Sequence, residues 1–263
     1  MQQRPTVLLF DLDGTLVSTG GAGRRAMAEA ARIHGVPNVF DGFSFAGMTD
    51  RAIARYAFNV GGFAPDTPTP DTALARSARG ASRPLKRPLL GPLRGVVSDQ
   101  DIEHFLETYV GLLEEELPRS EGYLVLPGVA ALVRSLGDHR HLAIGLGTGN
   151  IKRGAYAKLV RAALGDAFAF GGFGCDAEDR TELLRAGAER GAARLGRPLA
   201  ECRVVVIGDT PKDVAAAKGL AAECVAVATG GFTCAALRAC GAEHAFATLA
   251  EPGVHDMLVG TAT

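Results

Sequence analysis

Thr6-Val7-Leu8-Leu9-Phe10-Asp11-Leu12-Asp13-Gly14-Thr15-Leu16 is the stretch around which the 263-residue chain is organised. An apolar run stops abruptly at two carboxylates one residue apart, then at Gly and Thr. Val7 to Phe10 is short and free of helical periodicity, which predicts a buried strand. Asp11 and Asp13 then sit at its carboxyl end, where open α/β sheets bind ligands. Alternation along an extended chain aims both carboxylates one way and Leu12 the other. Gly14 permits a sharp bend just beyond them. Two carboxylates this close repel unless a cation or a shared proton relieves them. Mg²⁺, a hard ion that prefers oxygen ligands, would do so. A turn closed by Asp and Gly is the plainer alternative. A calcium loop is excluded, because a strand precedes the motif and its twelfth position is Ala22, not Glu.

From residue 141 onward strand and helix patterns alternate, which predicts parallel βαβ units. His141–Leu146 reads as a strand that ends in Gly147-Thr148-Gly149-Asn150, with a helix over Ile151–Leu164. A Thr148 hydroxyl, a Gly149 N–H and an Asn150 N-cap at a helix start form an anion site. Phe168–Phe173 is a further strand, and a helix runs from Asp179 to Leu195. Arg203–Ile207 is a buried strand ending in Gly208-Asp209-Thr210-Pro211-Lys212-Asp213. Asp209 again falls at a strand's carboxyl end, and Asp213 lies one helical turn later on the same side. Glu223–Ala228 and His244–Ala247 supply the last strands, with Thr229-Gly230-Gly231 beside the site.

Between these parts the pattern is helical. Residues 24–62 read as two helices split by Gly35–Gly47, the second capped by Thr49. The glycines of residues 18–23 predict a hinge rather than a phosphate loop, because no Lys-Ser/Thr follows them. Ile102, Phe105, Leu106, Tyr109, Leu112 and Leu113 form one apolar stripe over residues 100–117. Residues 63–99 hold six of the thirteen prolines and the cations Arg76, Arg79, Arg83, Lys86, Arg87 and Arg94. They read as a solvated insertion with one short helix at Thr72–Arg79. A basic arm for an acidic partner or RNA is the sharper alternative, weakened because no aromatic residue lies between Pro65 and Gln100 to stack on bases.

Composition narrows the classes. Hydrophobic residues make up 47% and charged residues 22%, as in globular chains. The net charge of −1 gives no general attraction to nucleic acid or anionic membranes. No apolar run reaches the roughly 20 residues of a membrane span, and Met-Gln-Gln-Arg-Pro leads directly into a strand, so no signal peptide is expected. Five cysteines, all in the last third and without Cys-x-x-Cys spacing, point to reduced thiols and a cytoplasmic setting. Arg outnumbers Lys by 23 to 5, which reads as compositional bias.

The first motif, Asp11-Leu12-Asp13-Gly14-Thr15-Leu16, resembles that of the haloacid dehalogenase-like hydrolase superfamily. Thr148 resembles the second motif, and Gly208-Asp209 with Asp213 the fourth. The third, a cation at a helix start, is matched by Arg180, 29 residues before Asp209. Lys152 is the competing position. The resemblance implies an α/β fold: a Rossmann-like parallel sheet core (1–17 and 124–263) with an inserted α-helical cap (18–123). Pro127, ahead of a helix to Leu136, is similar to the return from cap to core.

The resemblance further implies a phosphatase acting on a small phosphorylated metabolite. Asp11 would be the nucleophile and form an aspartyl-phosphate. Asp13 would be the general acid and base, an acid the dehalogenases of the superfamily lack. Thr148, Gly149, Asn150 and Arg180 would hold the phosphate, and Arg51, after Gly47-Met48-Thr49-Asp50, would contact substrate, the alternative being a surface Arg at a plain helix start. Mg²⁺ would be held by Asp11, the Asp13 carbonyl and Asp209, with Asp213 beside it. Phosphoglycolate phosphatase-like proteins are the nearest resemblance, as monomer or homodimer. A phosphomutase of the β-phosphoglucomutase type, a phosphonate hydrolase with a cap lysine, and a non-catalytic binding protein using the basic insertion are the alternatives.

Overall fold

The computed structural model describes residues 3–61 and 97–261. The expected Pro- and Arg-rich insertion, its short helix and its basic arm fall on residues outside these, apart from the last three positions. Those three lead into a helix: Ser98 accepts from the Asp101 N–H, and Asp101 accepts from the Ser98 N–H, a reciprocal cap.

Six parallel strands form the main sheet: β1 (Thr6–Phe10), β4 (Leu142–Thr148), β5 (Gly171–Phe173), β6 (Arg203–Gly208), β7 (Glu223–Val227) and β8 (His244–Phe246). Their spatial order is β5-β4-β1-β6-β7-β8. β1 is buried throughout because helices cover both faces of a parallel sheet. Its residues alternate between two cores. Leu8 and Phe10 pack with α4 (Val129–Leu136), α5 (Lys152–Arg161) and α9 (Val254–Val259). Val7 and Leu9 pack with α6 (Arg180–Arg194), α7 (Pro211–Gly219) and α8 (Cys234–Ala239).

Register sets the site. Phe10 lies opposite Leu146 on one side and Ile207 on the other. The residues after each strand therefore emerge together, with Asp11 between Gly147–Thr148 and Gly208–Asp209. The Asp11 N–H continues the ladder to the Ile207 carbonyl at 2.8 Å. β1 is also the point where the strand order reverses, the position at which such sheets open a ligand crevice.

Helices α1 (Ala22–Ile33), α2 (Asp50–Gly61) and α3 (Asp99–Glu116) share a third apolar core. Ala22, Ala26, Ala30 and Ala31 give α1 a small-residue face, which lets the α3 stripe of Ile102, Phe105, Leu106, Tyr109 and Leu113 pack closely. An antiparallel ribbon, β2 (Val17–Thr19) with β3 (Tyr123–Val125), joins these helices to the sheet. Beside it Gly20 adopts φ +59°, and a Cβ there would stand 2.6 Å from the Gly122 backbone. The ribbon is absent from the sequence reading because three residues are too few to show a period. Gly147 and Thr148 continue β4 beyond Leu146, paired with Gly172 and Phe173. The strand expected from Phe168 begins only at Gly171, because Gly165–Ala167 form a 3-10 turn ahead of it. No described helix is long and apolar enough to cross a membrane.

Candidate active site

Four charged residues meet at the carboxyl end of β1 and β6. Asp11 is the first residue past β1, and Asp209 the first past β6. Asp213 stands in the first turn of α7, where its Oδ2 accepts from the Thr210 N–H at 3.0 Å and the Thr210 hydroxyl at 2.7 Å. Its Oδ1 accepts from Arg180 Nε at 2.8 Å. Both Asp213 oxygens are thus engaged, and they fix the Arg180 guanidinium at the start of α6. Arg180 Nη2 then reaches Asp11 Oδ1 at 3.0 Å. Nη2 is also 2.5 Å from Asp213 Oδ1, so two carboxylates bracket the buried guanidinium.

Negative charge is in surplus here. Asp11, Asp209 and Asp213 bring carboxylate oxygens within 4.8 Å of one another. Burial pushes the Asp209 carboxyl up to about 8, with further contributions from Asp11 and Asp213. Burial also raises Asp11 to about 6, against the opposing pull of Arg180. Thr15 Oγ1 donates to Asp209 Oδ1 at 3.2 Å. Gly14 has φ +83°, and a Cβ on it would lie 2.5 Å from Asp209 Oδ2. The backbone therefore crowds the carboxylate, which only glycine allows. Buried oxygen donors with unmet negative charge suit a hard divalent cation. The Asp13 side chain stands outside this cluster.

Asp13 has its own partners. Its Oδ2 accepts from Lys158 Nζ at 2.5 Å and from Asn150 Nδ2 at 2.9 Å. Asn150 Nδ2 also donates to Thr148 Oγ1 at 2.8 Å, and Asn150 Oδ1 accepts from Lys158 Nζ at 2.6 Å. Thr148 Oγ1 accepts in these bonds, so its own O–H stays available to donate toward the cavity. Lys158 is 3% exposed, with its stem on the buried stripe of α5 beside Gly154, Ala155 and Leu159.

The helices roof the site. The loop before α2 lies directly on the turn after β4. A Cβ on Gly149 would clash with the Met48 carbonyl oxygen and stand 2.9 Å from Thr49 Cα. The Asp50 N–H donates to the Gly149 carbonyl at 2.8 Å, and Asp50 Oδ2 accepts from the Ile151 N–H at 2.9 Å. Asp50 thus satisfies the start of α5 from another element, although burial raises its carboxyl to about 6. Outside the crevice, Arg55 pairs with Glu178 at 2.6 Å. The cavity measures about 320 Å³ and is lined by Asp11, Asp13, Thr148, Lys158, Arg180 and Asp209, among others.

The expected site residues are mostly brought together. Asp11, Asp13, Thr148, Gly149, Asn150, Arg180 and Asp209 all line the cavity, and Asp213 contacts it through Arg180. Two placements differ from expectation, and a third bears on the competing cation. Arg51 lies outside the cavity, because Asp99, Glu103 and Glu178 hold its guanidinium. Asn150 is not the N-cap of α5: Ile151 occupies that position, and the amide is turned onto Asp13 and Lys158 instead. Lys152 is exposed, near the Phe173 ring, so Arg180 is the cation beside Asp11. Asp50 and Lys158 escaped the sequence reading. A lysine on the apolar stripe of a helix that follows an anion-binding turn was the available signal.

A family model described as haloacid dehalogenase-like hydrolase matches residues 5–221. No curated protein matches the sequence. Among solved structures, a hydrolase from Pseudomonas syringae is similar at 21% identity and TM-score 0.63, covering 98% of this chain and 100% of its own. A structure described as a predicted phosphoglycolate phosphatase from Haemophilus somnus has 15% identity and TM-score 0.62, with 100% of both chains covered. A β-phosphoglucomutase from Clostridium difficile has 14% identity and TM-score 0.64, covering 98% of this chain and 97% of its own. These likenesses carry the fold, and with most of its length inside the matched model the chain belongs to the haloacid dehalogenase-like hydrolases.

Proposed function

We propose that this hydrolase is a phosphatase that cleaves a small phosphate monoester through an aspartyl-phosphate on Asp11. The observation that carries the reading is the division of labour between the two carboxylates of the first motif. Asp11 faces the Arg180 guanidinium at 3.0 Å. Asp13 faces away from that cluster, onto Lys158 and Asn150. One is poised against an anion, the other against a neutral oxygen that needs a proton.

Asp11 attacks phosphorus, and the bond from phosphorus to the ester oxygen breaks. Asp13 gives its proton to the departing alkoxide, then takes one from the water that attacks the acyl phosphate. Phosphate leaves and Asp11 is restored. The Arg180 guanidinium, the Thr148 hydroxyl and the Gly149 N–H hold the remaining phosphate oxygens. Asp213 keeps Arg180 in place. Asp11, Asp209 and the Asp13 carbonyl would bind Mg²⁺, which supplies neutralisation of the charge between an anionic nucleophile and an anionic ester. Helices α1, α2 and α3 act as a cap that excludes water and receives the alcohol part of the ester.

The test is release of inorganic phosphate from an aryl phosphate in the presence of Mg²⁺. Asp11→Asn and chelation of divalent cations are each expected to abolish it. Activity that survives either change overturns the mechanism. Transfer between positions of a sugar phosphate without phosphate release would identify a mutase instead.

A further inference from the structure

One polar group in the cavity wall has no role in the chemistry above. Tyr109 belongs to the apolar stripe of α3 and is 1% exposed, yet its ring lines the cavity. Its hydroxyl has no hydrogen-bond partner among the described residues. Only Arg180 Nη2 is a fully buried side-chain polar atom without an aligned partner among the described residues, so the Tyr109 oxygen stays accessible from the cavity. A Cβ on Gly23 would stand 3.8 Å from Tyr109 Oη and 3.6 Å from Lys158 Nζ, so the two head groups face the same patch of bare backbone. Lys158 gives two of its three N–H donors to Asp13 and Asn150. The third has no partner among the described residues. Asp50, which shares this wall, uses only Oδ2, on the Ile151 N–H.

These groups present two free donors and one free carboxylate oxygen. A hydroxyl matches them, since it accepts from Tyr109 and Lys158 and donates to Asp50. A carboxylate does not, because Asp13 and Asp50 flank a single ammonium. Arg24, the other cation on the helical side, is turned onto the Phe43 and Phe40 carbonyls at 2.9 and 2.6 Å. Met27, Phe45, Met48 and Ile53 complete the wall and suit a carbon skeleton. Lys158 is bonded to Asp13, so the recognised group lies close to the ester oxygen that Asp13 protonates.

We infer that Tyr109, with Lys158, binds a neutral hydroxyl on the alcohol portion of the substrate and selects polyol-type phosphate esters over carboxylate-bearing ones. The inference rests on the phosphatase reading and adds its substrate class.

Phosphate release from glycerol 1-phosphate, propyl phosphate and 2-phosphoglycolate is measured for the wild type and for Tyr109→Phe. The wild type is expected to favour glycerol 1-phosphate over propyl phosphate by about 10- to 100-fold in kcat/KM. 2-Phosphoglycolate should fall at or below propyl phosphate. Tyr109→Phe should bring the ratio of glycerol to propyl ester close to unity. Its melting temperature without ligand should not fall, since the hydroxyl bonds nothing in the protein. A variant that slows both esters equally, leaving the ratio intact, assigns Tyr109 to packing and overturns the inference. So does a wild type that prefers 2-phosphoglycolate, or one that hydrolyses all three alike, while the phosphatase reading stands. If an aryl phosphate is hydrolysed but none of the three esters is, this inference fails alone; if the aryl phosphate is not hydrolysed either, the phosphatase reading fails with it.

Discussion

Lys158 Nζ lies 2.5 Å from Asp13 Oδ2, a pair joining the helix after β4 to the motif after β1. Asn150 closes the triangle by bonding both. One oxygen of Asp13 is therefore fixed, and the other is left to face the ester oxygen. Lys158→Met is expected to lower kcat on alkyl phosphates by about 100-fold, the usual worth of a positioned acid. The loss should shrink for aryl phosphates whose phenols leave without protonation. Steady-state kinetics across leaving groups checks this. An equal loss on every ester would mean that Lys158 does not act through Asp13.

Arg180 is the only described cation paired with either Asp11 or Asp213, and all three are buried. Removing one partner from such a set costs about 3–5 kcal/mol, since it strands charge in a dry site. Arg180→Met should therefore lose both activity and a large part of the melting temperature. Adding Asp213→Asn should recover some of the stability but none of the activity, because the anion-binding guanidinium is still missing. Thermal denaturation of the single and double variants, alongside phosphate release, separates the two effects. A double variant no more stable than Arg180→Met would contradict the charge argument.

Asp209 gives a prediction with opposite sign. Its folded-state proton affinity is raised from 3.8 to about 8. The folded protein then holds a proton that the unfolded chain releases, so stability without metal falls as pH rises from about 4 through about 8. Asp209→Asn keeps the acceptor for Thr15 and removes the charge. It should raise the melting temperature at pH 8, not at pH 4. Mg²⁺ at 100 times its Kd should stabilise the wild type by about 2.7 kcal/mol and leave Asp209→Asn unmoved. Differential scanning calorimetry with and without Mg²⁺ measures both, and a Mg²⁺ response that persists in the variant would move the metal elsewhere.

The strand ends were legible because each chemical residue follows a short apolar run that stops abruptly at turn residues. Asp11, Thr148 and Asp209 could be placed on one edge before any register was known, since parallel strands all end on the same side. Arg180 was harder, because a cation in a first turn is common. Its bond to Asp213, itself locked by Thr210, and its contact with Asp11 make it part of the site. Asp50 and Lys158 were hidden for a different reason. Their partners come from elements far apart in sequence, Asp50 with Ile151 and Lys158 with Asp13. No local pattern records such pairings. Arg51 misled because sequence position fixes where a side chain starts, while the acidic Asp99, Glu103 and Glu178 fix where it points. The Tyr109 stripe was rightly read as core, but periodicity could not show that its hydroxyl reaches the cavity.

His34, at the C-terminal end of α1, supplies a pH test independent of the active site. Thr108 Oγ1 donates to the His104 carbonyl at 3.0 Å, so the 3.0 Å contact between His34 Nε2 and Thr108 Oγ1 requires the proton on Nε2. The ring also packs against Phe58, Phe105 and His104. Burial, reinforced by His104, lowers its folded-state value from 6.5 to about 4. Between those values the unfolded chain binds a proton that the folded protein refuses. Stability should fall as pH drops from about 6.5 and level off below about 4. His34→Gln retains a donor for Thr108 and cannot titrate. Urea denaturation from pH 7 to pH 4 should show the gap between variant and wild type moving in favour of the variant as pH falls. Parallel curves for the two proteins would show that the ring charges as readily when folded as when unfolded, and so that the α1–α3 core does not exclude its ion.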